Sequence, residues 1–106
     1  MKLGIIISTS EPETVWNAYR LANFSLKEGD KVKVFLLANG VESESGSEEY
    51  NVKEQISSFS NNGGQIYACG TCMKSRQIDS RDTCQISTMK DLYQVVNESD
   101  KVLTFG

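Results

Sequence analysis

The sequence of 106 residues contains no histidine. That absence excludes Ser-His-Asp and Cys-His catalysis within one chain, and it removes the commonest zinc ligand besides cysteine. There is no excess of positive charge either: the formal net charge is -3. A phosphate backbone needs a basic face, so direct nucleic-acid binding is not expected. No apolar run approaches the length of a membrane span. Leu3-Gly4-Ile5-Ile6-Ile7 follows Met1-Lys2 too briefly for a secretory leader, and Ser8-Thr9-Ser10-Glu11 offers no small-residue cleavage pattern. The three cysteines are an odd number and do not make a disulfide framework. Without a secretion signal they point to a reducing cytoplasm, where Cys pairs are catalytic, redox-active or metal-binding.

What is present reads as one domain over residues 1–106. Lys2 to Ser8 is apolar on both faces, as a central parallel strand covered by helices requires. Ser10-Glu11-Pro12-Glu13 fits a capping box with proline in the first turn. A helix follows to about Lys27, with Val15, Ala18, Tyr19, Ala22 and Leu26 on one face and Gly29 beyond its end. Lys31 to Leu37 is a second strand, closed by an Ala38-Asn39-Gly40 turn. The acidic, Ser-rich stretch Val41 to Glu49 reads as a solvated loop over the sheet end, or as a binding loop or lid. Tyr50 to Ser60 reads as a second helix on Val52, Ile56 and Phe59, and Gln65 to Ala68 as a third strand. A short helix from Thr71 to Gln77, a charged loop from Ile78 to Thr83 and a weak strand Cys84-Gln85-Ile86-Ser87 follow. Ser87 or Thr88 caps a last helix with Leu92, Tyr93 and Val96 facing inward, and Lys101 to Phe105 is the last strand. Strands alternating with helices predict an α/β three-layer, doubly wound sandwich around a parallel sheet. Ligands bind such sheets outside the carboxyl ends of the strands. Ser8-Thr9-Ser10, Asn39-Gly40 and Cys69-Gly70-Thr71-Cys72 all fall at that end.

The chain is organised around Gln65-Ile66-Tyr67-Ala68-Cys69-Gly70-Thr71-Cys72-Met73-Lys74-Ser75-Arg76. An apolar strand delivers a Cys-x-x-Cys pair to a strand-to-helix junction. A cysteine at a helix start, near Lys74, Arg76 or Arg81, ionises more readily, and the thiolate is the reactive form. Four chemistries compete for Cys69 and Cys72. They can be small buried residues without a reaction. They can join Cys84 and a carboxylate such as Asp79 or Asp82 around zinc, although a closed site needs four ligands. They can form a thioredoxin-like dithiol. They can carry a persulfide, which needs an activated thiolate and no histidine base. Cys84, in a short apolar segment, reads as structural. A rival to all of these is a non-catalytic module binding a small ligand or partner through Ser8, Ser10, Asn39 and Gly40.

The opening strand with its Ser-Thr turn, Phe35 to Val41, Tyr67 to Arg76, and Ser87 through Phe105 together resemble the DsrE/DsrF-like proteins of sulfur relays, including TusD-type subunits. The resemblance implies a five-stranded, mainly parallel sheet in a flavodoxin-like arrangement, assembled into homo-oligomeric trimers or hexamers. It implies a sulfur-accepting cysteine at the end of the third strand, matching Cys69. Its partners would be sulfur donor and acceptor proteins, with no cofactor or metal. Cys72 departs from relay subunits that need only the first cysteine and matches small members with a Cys-Gly-x-Cys block. A second thiol can attack a Cys69 persulfide, releasing sulfide and leaving a disulfide. The expected site is therefore Cys69 and Cys72, with Gly70 and Thr71 amides and Lys74 or Arg76 stabilising the thiolate. Trp16, Phe24 or Tyr50 would either supply an oligomer interface or be buried in the monomer.

Overall fold

The computed structural model describes residues 1–79 and 84–106. Its elements are β1 (Lys2–Ile7), α1 (Pro12–Lys27), β2 (Lys31–Leu36), a 3-10 segment (Ala38–Ser45), α2 (Val52–Asn61), β3 (Gln65–Cys69), α3 (Gly70–Ser75), β4 (Gln85–Ser87), α4 (Met89–Glu98) and β5 (Lys101–Phe105). The five strands are all parallel, in the order β4-β3-β2-β1-β5. Each step from β1 to β4 moves the same way across the sheet, so right-handed crossovers put α1 and α2 on one face. The return from β4 to β5 crosses the sheet and puts α4 on the other.

Parallel register decides what each face buries. Leu3, Ile5 and Ile7 stand beside Val32, Val34 and Leu36. These six are buried in one cluster with Val15, Ala18, Tyr19 and Ala22 of α1 and Val52, Ile56 and Phe59 of α2. Tyr19 meets Phe59 edge-on at 5.9 Å between ring centroids. The opposite face presents Gly4, Ile6 and Phe35 to α4. A Cβ on Gly4 would lie 2.7 Å from Ser99 Oγ and 3.0 Å from a Val95 methyl, so glycine lets α4 sit close on β1.

Several expectations are corrected. Glu11, not Ser10, caps α1: its carboxylate accepts the Glu13 and Thr14 N–H groups, while Thr9 Oγ1 accepts the Glu11 N–H. A carboxylate at a helix start is favoured by the unpaired amides there, and these hydrogen bonds hold Glu11 below the usual carboxylate pKa range. The stretch Val41 to Glu49 is not wholly a solvated loop. Its first part, to Ser45, lies in the 3-10 segment, with Val41 and Ser43 buried, and Ser43 Oγ donates to the Gly40 carbonyl at 2.6 Å. Along α4 and its C-cap the inward line is Leu92, Val95 and Ser99; Tyr93 is 67% exposed and Val96 48%. Apolar character alone misplaced them, because α4 covers its face of the sheet without a neighbouring helix. Thr88 and Asp91 form its capping box. Residues 80–83, which include the end of the expected charged loop and the candidates Arg81 and Asp82, lie outside the described residues.

No helix among the described residues is long and apolar enough to cross a membrane. Trp16 and Tyr50 pack on each other at 5.3 Å, and the Arg20 guanidinium lies 4.4 Å above the Trp16 ring. Both aromatic rings thus find partners within the fold, whereas Phe24 is exposed.

Candidate functional site at the carboxyl end of β3

β3 and the 3-10 segment bring the site together. Cys69 ends β3 and stands at the N-cap of α3; its side chain is 5% exposed. Cys72 lies one turn further on and is half-buried. The three cysteines are not joined in disulfides. Cys84 sits in the apolar core, 8% exposed.

β2 ends at Leu36, and the chain turns sharply at Ala38. Ala38 has φ 51°, a left-handed conformation that a residue with a Cβ adopts only at a cost. In this conformation the Ala38 N–H donates to Cys72 Sγ at 3.3 Å. Gly40 makes the turn possible, because a Cβ there would overlap the Ile7 carbonyl oxygen. Leu37 N–H also donates to that oxygen, at 3.1 Å. The 3-10 segment is thus seated directly on the end of β1.

Arg76 ties the 3-10 segment to α3. Its guanidinium donates to the Cys72 carbonyl (3.3 Å) and to Asn39 Oδ1 (3.0 Å), and Nε lies 3.7 Å from a Glu42 carboxylate oxygen. The planar fork of arginine can reach several acceptors at once where an ammonium would be a single point.

The two thiols interact, and their surroundings pull them apart. Burial pushes the Cys69 thiol up, and its hydrogen bond toward Cys72 adds to this, while the Cys72 and Thr71 amides oppose. Cys72 is pulled down, first by the hydrogen bond from Cys69, then by the Ala38 N–H, with the Arg76 charge assisting against desolvation. Of the two sulfurs, Cys72 is the better stabilised anion. The expectation put this stabilisation on Cys69. The difference arises because Cys69 is buried at the end of β3, while the 3-10 segment supplies the Ala38 amide to Cys72 instead.

The other expected site residues separate into near and far. Asn39 and Arg76 are in the site, Gly40 shapes it, and Gly70 and Thr71 form the first residues of α3. Lys74 is exposed, and the charge beside Cys72 comes from Arg76. Ser8 lies at the end of β1, where its N–H donates to the Phe105 carbonyl at 3.0 Å; Ser10 is exposed. Ala38 and Glu42 were not foreseen. Among the described residues no group of three or more Cys, Asp or Glu is placed to hold a metal ion. A cleft of about 900 Å³ between α1 and α2, lined by Asn17, Arg20, Phe24 and Gln55, lies away from the thiols. So does one of about 550 Å³ at the amino ends of the strands, beside Lys2, Lys31 and Gln65.

The model of the DsrE/DsrF-like family matches residues 1–105. The chain belongs to the DsrE/DsrF-like family. It is 35% identical over 114 residues to the uncharacterized protein MJ0989 of Methanocaldococcus jannaschii, covering 99% of this chain and all of the relative. It is 27% identical to the protein YchN of Escherichia coli, again over 99% of this chain and all of that protein. The crystal structure of YchN superposes with a TM-score of 0.83 at 26% identity, covering 99% of this chain and 100% of YchN. A structure of the Bacteroides thetaiotaomicron protein BT1422 superposes at 0.80 with 23% identity over 97% of this chain and 93% of its own, a likeness of fold. The DsrE/DsrF-like chain thus shares both its sequence pattern and its all-parallel, five-stranded architecture with relatives of its own length.

Proposed function

We propose that the Cys69–Cys72 pair accepts sulfane sulfur as a persulfide and passes it to the thiol of a partner protein. The observation that carries this reading is the meeting of two thiols at the carboxyl end of β3, with the Ala38 N–H on one of them at 3.3 Å. A sulfur stabilised as thiolate attacks the outer sulfur of a donor persulfide, R–S–SH. The new bond gives protein–S–SH, and R–S⁻ leaves with the electron pair of the broken bond. Attack by a partner thiolate on the outer sulfur reverses the same chemistry toward an acceptor. Neither step needs a histidine base, because the nucleophile is already ionised. Membership of the DsrE/DsrF-like family supports the reading. The partial exposure of Cys72 supports protein donors and acceptors that can reach its sulfur.

Cys69 and Cys72 stand one helical turn apart at the start of α3, a spacing that favours a second reading, reversible thiol–disulfide exchange between Cys69 and Cys72. Both readings suit a reducing cytoplasm. Assembly into a trimer or hexamer belongs to the first reading. The exposed Met89, Tyr93 and Val96 offer an apolar stripe for it, and light scattering at micromolar concentration tests it, a monomer counting against assembly. The chemistry is tested by cyanolysis of bound sulfane sulfur after exposure to inorganic polysulfide. The double variant Cys69→Ser/Cys72→Ser should retain none; uptake equal to the parent would refute the assignment.

A further inference from the structure

Which thiol reacts first is decided by geometry around the pair. We propose that Cys72 is the first nucleophile, its sulfur held by the backbone N–H of Ala38, and that Cys69 is the resolving thiol beneath it. The inference rests on the sulfur-accepting reading for its substrate, a sulfane sulfur donor, but not for the order of the two thiols.

Three observations carry it. Cys72 Sγ receives an amide N–H from a different element, at 3.3 Å, and that amide is aimed by a left-handed alanine at φ 51°. A backbone held in a sparsely populated conformation beside a reactive group points to a constraint at that group. Next, Cys72 is half-buried, whereas Cys69 is 5% exposed, so an incoming donor meets Cys72 before Cys69. Last, the Arg76 contacts to Asn39 and to the Cys72 carbonyl pin the two segments that carry the amide and the sulfur. Arg76 is in this sense a positioning residue. Among the described residues, the titratable and charged groups at the sulfur are Cys69 at the end of β3, Arg76 just beyond α3, and Glu42 of the 3-10 segment, whose carboxylate sits on Arg76. The lowered pKa of Cys72 and the raised pKa of Cys69 agree with this order.

Cys72–S⁻ attacks R–S–SH, giving Cys72–S–SH and R–S⁻. The persulfide is acidic and loses its proton to solvent. When no partner thiol arrives, Cys69–SH gives up its proton to the outer sulfur as its own sulfur attacks the inner one. The products are the Cys69–Cys72 disulfide and HS⁻. A dithiol reductant then restores both thiols by exchange and is itself oxidised to a disulfide.

The test uses the unmodified protein first. Substoichiometric iodoacetamide at neutral pH, followed by peptide mapping, should place about tenfold or more label on Cys72 than on Cys69, since exposure and ionisation act together. Preferential labelling of Cys69 overturns the proposal. Single variants exposed to inorganic tetrasulfide give a second readout. Cys69→Ser should accumulate one added sulfur (about 32 Da) on Cys72, and Cys72→Ser should take up none. Sulfur on Cys69 in Cys72→Ser at the parental rate also overturns it. If iodoacetamide marks Cys72 first but neither the parent nor Cys69→Ser reacts with tetrasulfide, the order of the thiols stands and the sulfur-accepting reading falls.

Discussion

Gly40→Ala places a methyl group on the carbonyl oxygen of Ile7. In an ordinary helical turn this change would stabilise the chain by about 0.5–1 kcal/mol, through a smaller loss of backbone entropy. Here a steric cost of about 1–3 kcal/mol opposes it. The neighbouring atom is backbone, so no side chain can swing aside. Retreat of the 3-10 segment would also stretch the Leu37 N–H bond to Ile7 O (3.1 Å), worth about 1 kcal/mol. The net expectation is a loss of about 2 kcal/mol. A domain of this length loses roughly 4–8 °C in Tm per kcal/mol, so Tm should fall by about 8–16 °C. Thermal unfolding followed by circular dichroism reads this directly. The same displacement moves the Ala38 amide, two residues away, so alkylation of Cys72 at neutral pH should slow. Gly29→Ala is the control. Nothing lies within 4 Å of its Cβ and its φ is 93°, so it costs only about 1–2 kcal/mol of backbone strain and leaves alkylation unchanged. A Gly40→Ala protein as stable as the parent would refute the argument that glycine seats the 3-10 segment on β1.

Three further perturbations probe other parts of the account. Phe59→Ala empties a fully buried position that packs on Tyr19 and should cost about 3–5 kcal/mol in chemical denaturation; a loss below 1 kcal/mol would contradict the packing described. Arg76→Ala should raise the pH midpoint of Cys72 alkylation by freeing the 3-10 segment from α3. Arg76→Lys should restore the charge but not the fork, and full rescue by lysine would argue for charge alone. Asp30 is held below the usual aspartate range, first by its bond to the Met1 ammonium (2.7 Å) and then by Ser25. A lowered folded pKa contributes stability that is complete above the unfolded value, near 3.9, and lost as pH falls through the folded one. Stability curves of the parent and Asp30→Asn should therefore draw together as pH falls below about 4 and run at a constant separation above it; parallel curves throughout would remove Asp30 as their source.

The strands were legible because β1, β2 and β3 write their burial as apolar runs, and a parallel sheet covered on both faces demands that. The Cys-x-x-Cys junction was legible for the same reason: strand, cysteine and turn follow in order. The 3-10 segment was not, because four glutamates between Glu42 and Glu49 mask the burial of Val41 and Ser43 beneath them. The inward face of α4 was misjudged because Tyr93 and Val96 look apolar enough to be core, yet the single helix on that side buries only a narrow line. Ala38 could not have been found from its side chain. Its part in the site is an N–H group, and only the fold decides where a backbone amide points. Charge placement near the cysteines was half legible: the sequence offers Lys74 and Arg76 equally, but Asn39 and the Cys72 carbonyl choose Arg76.

The central claim is that this pair of thiols takes up sulfane sulfur. Intact-protein mass spectrometry after brief exposure of the reduced protein to inorganic polysulfide, read with and without reductant, tests it most directly. The account predicts a transient gain of one sulfur (about 32 Da) followed by a Cys69–Cys72 disulfide with release of sulfide, both reversed by a dithiol. An unchanged mass, with both thiols still open to alkylation, would contradict it.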